Sequence, residues 1–248
     1  MIKDLAIITW SHTSYSDIWD MYYKQFEKMA PFFKHYMFIN EKNYKTPDYC
    51  HQIVNNEKQK FGERVCFSLE HVKEQNVIWM QEDFVLYDKV EKQKIEMLND
   101  FLNNSDFSFI RLMKSGVFGG KSINESLGIF EIPKHCAYLY CLQAAIWKKK
   151  DLLKLMSYYK PKNMMQAELQ GSYSFLQLGF KGAYVYNGEK QRGNLHHDSS
   201  VFPYGSTALH GGSHGRPAKW QTNIYPKILP TLINEYDIDI NIRGEIKK

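Results

Sequence analysis

Leu5-Ala6-Ile7-Ile8-Thr9-Trp10 constrains the fold more than any other stretch of this sequence. Its side chains are apolar or β-branched in unbroken succession, so the strand it predicts needs cover on both faces. Such a strand belongs to a sheet layered between helices, and helical patterns do alternate with strands along the chain. Ile18, Met21, Tyr22 and Phe26 recur at helical spacing over 18–29 until Pro31 stops them. Residues 35–40 predict a second strand, 41–58 an irregular polar stretch, and 60–75 a helix with Phe61, Val65, Leu69 and Val72 on one face. Val77-Ile78-Trp79-Met80 predicts a buried strand, 90–104 an amphipathic helix, and 107–112 another strand. Further on, 113–128 is glycine-dotted and predicts a loop, and 137–147 predicts a strand turning into a helix that ends before Pro161. Short strands are expected at 183–187 and 206–209. Pro230 predicts that the helix over 225–236 is kinked or starts late. The pattern is α/β, with a loop-rich second half whose strands mix directions, in one domain spanning 1–248.

Composition narrows the function classes. A net charge of +5 suits anionic small molecules, but the basic residues are scattered and no nucleic-acid motif accompanies them, so no nucleic-acid partner is expected. The four cysteines (Cys50, Cys66, Cys136, Cys141) lack paired CxxC spacing, which argues against zinc and for reduced, buried thiols. Met1-Ile2-Lys3-Asp4 leads directly into a strand without a signal-peptide pattern, and no apolar run approaches the roughly 20 residues of a transmembrane span. The expectation is a soluble, cytoplasmic protein.

The buried strand at 77–80 ends in Gln81-Glu82-Asp83, and Phe84-Val85-Leu86 follows at once. In open α/β sheets ligands gather beyond the carboxyl ends of strands, which is where these acids stand. Paired carboxylates withdrawn from water need a cation, and hard oxygen ligands suit Mg2+ or Mn2+ bridging to phosphates. The plainer alternative makes Asp83 a turn residue and Glu82 the partner of a surface lysine.

Val77-Ile78-Trp79-Met80-Gln81-Glu82-Asp83-Phe84, preceded by a helix with Arg64 and followed by a helix and Ile110-Arg111-Leu112, resembles glycosyltransferases of the GT-A fold. Their acidic DXD signature follows the strand that closes the nucleotide-binding half. This chain departs from the strict motif, with Gln81 first and Phe84 where a third acid would stand. The resemblance implies a single GT-A-like domain with a Rossmann-like mixed central sheet flanked by helices. Residues 1–112 would form the nucleotide-sugar half, and 113–248 the acceptor half with a C-terminal loop and helix. It also implies Asp83 as main ligand of Mn2+ or Mg2+, Glu82 on the ribose or a metal-bound water, and donor contacts from Thr9, Ser11, Arg64 and Gln81.

Two further blocks extend the likeness. The segment 141–175, from Cys141-Leu142-Gln143 to Glu168 and Gly171-Ser172, looks like the acceptor side. There Glu168 would be the base of an inverting transfer, with Trp147, Gly171 and Ser172 near the acceptor. The segment 203–244 resembles the C-terminal glycine-rich end, implying His210 at the metal or diphosphate and His214, Arg216 and Lys219 in a basic loop closing over phosphates. For Thr9 and Ser11 turn and cap roles stay open, for Trp147 and Trp220 core packing, and for Glu168 a helix-start position. His196-His197-Asp198 is a rival metal cluster ranked below His210. The implied activity is transfer of a sugar from a nucleotide-diphosphate donor to a hydroxyl acceptor such as a glycan. A nucleotidyltransferase would show a glycine-rich loop after the first strand, and Thr9-Trp10-Ser11-His12-Thr13-Ser14-Tyr15-Ser16-Asp17 has no glycine. A non-catalytic nucleotide- or sugar-binding protein of the same fold is the remaining alternative.

Overall fold

A computed structural model of the chain describes residues 1–43, 45–206, 208–212 and 217–246. Its first half runs β1 (Leu5–Trp10), α1 (Trp19–Met29), β2 (Lys34–Ile39), β3 (Cys50–Val54), α2 (Phe61–Glu70), β4 (Asn76–Gln81), β5 (Val85–Leu86), α3 (Lys92–Asn103) and β6 (Phe109–Arg111). The second half continues with β7 (Ser122–Asn124), β8 (Ile129–Glu131), β9 (Ala145–Lys148), α4 (Lys149–Tyr159), α5 (Met164–Gln177) and β10 (Gly182–Val185). Short pieces follow: β11 (Gln191–Arg192), β12 (His196–His197), β13 (Tyr204–Gly205), β14 (Leu209–His210), β15 (Lys219–Trp220) and α6 (Ile228–Glu235).

Nine strands form the central sheet in the order β3-β2-β1-β4-β9-β6-β10-β8-β7. β3, β2, β1 and β4 run parallel, β9 runs antiparallel between β4 and β6, and β10 is again parallel to β6. The sheet is therefore mixed. Period-two alternation assigns side chains to two cores. Ile7, Met37, Ile78 and Ile146 pack with α1, α3 and α6 on one face. Ile8, Phe38, Val77, Trp79 and Trp147 pack with α2, α4 and α5 on the other. All six residues of β1 are buried, so the unbroken apolar run answers to helices on both sides.

Four expectations are corrected. The stretch 41–58 is not wholly irregular: β3 lies in it at the sheet's edge, its inward Cys50 and Ile53 separated by the polar His51-Gln52. The loop expected at 113–128 includes β7, a partly exposed edge strand whose register against β8 is irregular. Of 137–147, only the end enters a strand; the preceding turn is fixed instead by Arg111, whose guanidinium donates to the carbonyls of Ser115 (2.6 Å), Tyr138 (2.6 Å) and Leu139 (3.3 Å). The strand expected at 206–209 starts later as β14, Thr207 lying outside the described residues. α6 starts late as expected, with Pro230 in its first turn, where backbone N–H groups have no intrahelical acceptor to lose.

α5 packs so closely on this turn that a Cβ at Gly171 would lie 2.1 Å from a ring carbon of Tyr140. Gly171→Ala should therefore cost about 1–3 kcal/mol through overpacking. A thermal midpoint lower by roughly 2–4 °C per kcal/mol would register it, and an unchanged midpoint would mean the contact is not tight.

Candidate functional site

The ends of β1 and β4 are neighbours, Trp10 standing opposite Gln81 in register. The residues just beyond therefore meet: Ser11 stands beside Glu82, its Oγ accepting the Trp19 indole N–H at 2.9 Å and its hydroxyl favouring the charged form of the Glu82 carboxyl. Across the cleft, β14 pairs antiparallel with β15 and brings the Leu209 N–H to 3.4 Å from Asp83 Oδ2. Ala208 N–H also donates to the Asp83 carbonyl at 3.3 Å. Glu82 and Asp83 are each only 8% exposed. They lie on a cavity of about 280 Å3 lined also by Trp10, Ser11, His12, Tyr15, Gln81, Leu209, His210, Gly211 and Gly212.

Burial holds both carboxyl groups well above the usual carboxylate range, the Asp83 charge raising Glu82 further. The Ser11 hydroxyl opposes this at Glu82 and the Leu209 N–H at Asp83. The Arg243 guanidinium acts in the same sense on both, but it is committed elsewhere. It donates to Asp17 through Nε (2.8 Å) and Nη2, donates to the Ser14 carbonyl (3.1 Å), and lies 4.5 Å over the Tyr15 ring. Among the described residues neither carboxylate has an ion-pair partner, and a set of two hard oxygen donors fits a divalent ion with remaining ligands from phosphate or water. Among the described residues no group of three His, Cys, Asp or Glu gathers as a metal cluster, so His210 does not complete a three-ligand set with the acids. It lies exposed on the rim of the same cavity.

A larger cavity, about 770 Å3, adjoins the first through Gln81, Met164, His210, Gly211 and Gly212, which line both. Glu168 lines the larger one from the second turn of α5. Leu142 ties the two cavities together: its N–H donates to Glu168 Oε1 at 3.0 Å and its carbonyl accepts from Gln81 Nε2 at 3.3 Å. Glu168, Gln81, Ser11, Glu82, Asp83 and His210 are thus brought to one continuous cleft.

Other candidates lie elsewhere. Thr9 is fully buried under the sheet, its hydroxyl hydrogen-bonded to Tyr22 (2.6 Å) and to His35 (2.7 Å), a ring that burial pushes down to about 3. Its position in β1 points inward, so it is no surface for a donor. Trp147 is a core residue, stacked on Phe109 at 4.5 Å and edge-on to Tyr140 and Phe175. Trp220 is also buried. Gly171 and Ser172 shape the cleft from behind: Ser172 Oγ accepts from Tyr140 N–H (3.0 Å) and donates to the Ala137 carbonyl (3.1 Å). Arg64 lies behind Trp10, 4.9 Å from its ring, with Nε on Asn55. Lys219 is exposed on β15, beside Ala218 of the cavity wall. The rival cluster is split: His196, in β12, lines the larger cavity together with Arg192, while Asp198 pairs with Arg192 and His197 also lies in β12. His214 and Arg216 lie outside the described residues. Sequence reasoning missed Tyr15 and Arg243, because the partners that place them are far away in the chain or absent from any motif.

Among solved structures, a mannosyltransferase from Pyrobaculum calidifontis in complex with GDP-Man and Mn2+ superposes with a TM-score of 0.51 at 8% identity. The match covers 76% of this chain and 56% of that one. This is a GT-A-like fold. CMP:2-keto-3-deoxy-manno-octonic acid synthetase complexed with CTP (TM-score 0.45, 10% identity, 73% of this chain and 88% of that one) and S. aureus TarS (0.45, 13%, 73% and 60%) are more distant in shape. No family model and no curated protein matches the sequence.

The raised carboxyls give a pH signature in metal-free buffer. Between the usual carboxylate pKa of about 4 and neutrality the folded state binds more protons than the unfolded one, so stability falls as pH rises through that window. Asp83→Asn should melt higher than the parent at pH 8.5 with chelator present, and the gap should close at pH 5. Parallel melting curves at both pH values would show instead that the pair is charged and satisfied.

Proposed function

We propose that the protein transfers a sugar from a nucleoside-diphosphate-sugar donor to a hydroxyl acceptor, with inversion. The observation that carries this reading is the buried Glu82–Asp83 pair on a cavity whose described lining has neither Lys nor Arg, beside a second cavity that bears Glu168. A diphosphate could not enter the first cavity against two carboxylates without a cation between them. Mn2+ or Mg2+ held by Asp83 and Glu82 would neutralise the charge that grows on the leaving diphosphate.

The remaining work falls to the chain itself. Ser11 and the Leu209 N–H orient the two carboxylates. Tyr15 and His12 line the donor side, where the nucleoside would lie. In the adjoining cavity the acceptor oxygen attacks the anomeric carbon while the bond from that carbon to the diphosphate oxygen breaks, the electron pair leaving with the diphosphate. The acceptor proton passes to Glu168, whose Oε1 is fixed by the Leu142 N–H. Direct displacement from the face opposite the nucleotide inverts the anomeric centre.

A melting screen of nucleotide sugars with and without Mn2+ tests the donor half, since a ligand specific for the folded state raises the midpoint. Stabilisation should require both components and should vanish in Asp83→Ala. A screen in which no nucleotide responds under any metal condition would count against the reading. For the acceptor half, Glu168→Gln should keep the nucleotide-induced shift and lower turnover about 100-fold or more. A product that retains the anomeric configuration would remove Glu168 from its role as base.

A further inference from the structure

The outer face of α5 is apolar where a helix facing water is ordinarily polar. Met165, Leu169, Tyr173 and Leu176 are 72%, 77%, 69% and 37% exposed. At ~100° per residue they fall in one stripe about 80° wide, opposite Ala167, Gly171 and Ser174, which pack inward. The stripe extends onto Tyr138, 42% exposed, whose turn Ser172 fastens to the helix. One flank of the helix carries only neutral Gln166, Gln170 and Gln177, and Glu168 is its single charged residue.

The surroundings are basic. Residues 132–181 include eight lysines and two acids, so this stretch carries more positive charge than the +5 of the whole chain. Several of these lysines are used elsewhere: Lys148 and Lys149 donate to the carbonyls of Ser105 and Val72, and Lys181 pairs with Asp106. Lys162, just before α5, and Lys134 with His135, which lead into Tyr138 in the chain, are exposed, as is Lys160, which borders a groove against α2 together with Glu63 and Glu70. An apolar helix face bordered by lysines matches a bilayer surface rich in anionic lipid: the apolar side chains enter the acyl boundary and the ammonium groups meet the headgroups.

We propose that α5 and the Lys134–Tyr138 turn form a docking face for an anionic lipid bilayer. Contact is peripheral, as no helix among the described residues is long and apolar enough to cross a membrane. Met165 and Tyr138 belong both to this face and to the lining of the larger cavity, so docking turns the mouth beside Glu168 toward the lipid. The acceptor class this selects is an amphiphile that presents its hydroxyl from the bilayer surface, an extension that rests on the transferase reading.

Docking is measured without donor or turnover, so its failure and that of the transferase reading are separate. The full chain is sedimented with vesicles of phosphatidylcholine alone and of phosphatidylcholine with phosphatidylglycerol. Binding should appear on the mixed vesicles and weaken with salt. It should drop about tenfold or more in Leu169→Gln/Tyr173→Gln and in Lys134→Glu/Lys162→Glu, with parental melting midpoints. Absence of binding to the mixed vesicles, or equal binding by both variants, overturns the proposal. So does gel filtration in which the parent is a dimer that Leu169→Gln/Tyr173→Gln splits, since a second copy would then cover the stripe.

Discussion

Two carboxyl groups held out of water at the end of β4 make the demand that the surrounding structure meets. Like charges that close, in a partly desolvated cleft, cannot both ionise without help. The fold supplies partial help from three directions: the Ser11 hydroxyl from the end of β1, the Leu209 N–H from β14, and the field of Arg243 from near the C-terminal end of the described chain. None of these is a direct countercharge. Arg243 spends its hydrogen bonds on Asp17 and Ser14, and thereby braces the 3-10 turn Thr13–Tyr15 that walls the cavity. Among the described residues the carboxyl pair is thus left without an ion-pair partner.

The same economy of parts links the cavities. Leu142 is gripped through its N–H by Glu168 and through its carbonyl by Gln81, so a shift of α5 would be felt at the end of β4. α5 has three separate duties along its circumference. Its small inner residues, above all Gly171, let it approach the 137–144 turn; Glu168 faces the larger cavity; and the Met165–Leu176 stripe faces outward. A helix with so few charges would be a poor surface helix in isolation, which is why its outer face asks for an explanation that packing does not give.

Strand and helix identity was legible wherever one side-chain period dominated. β1, β4, α1 and α3 follow directly from runs or spacings of apolar residues. β3 escaped because this edge strand puts one polar and one buried residue on each face, so neither an apolar run nor an alternation shows, and β11, β12 and β15 because two-residue strands hold no periodicity at all. The acids were legible for the same reason as the strands: a carboxylate pair interrupting apolar sequence stands out. Thr9 and Trp147 misled because residue type does not say which face of a sheet a side chain takes once both faces are covered. Arg243 and Asp17 are 226 positions apart, and no local pattern could pair them.

Sequence by itself determined that this chain builds a sheet between helices and that a carboxylate pair caps one of its inner strands, because apolar period and its interruption are local properties. Tertiary structure alone decided which polar groups reach that pair, that two cavities share a wall at Gln81 and His210, and that one face of α5 is left uncovered. Those outcomes depend on strand order and on contacts between distant segments, which linear spacing does not encode.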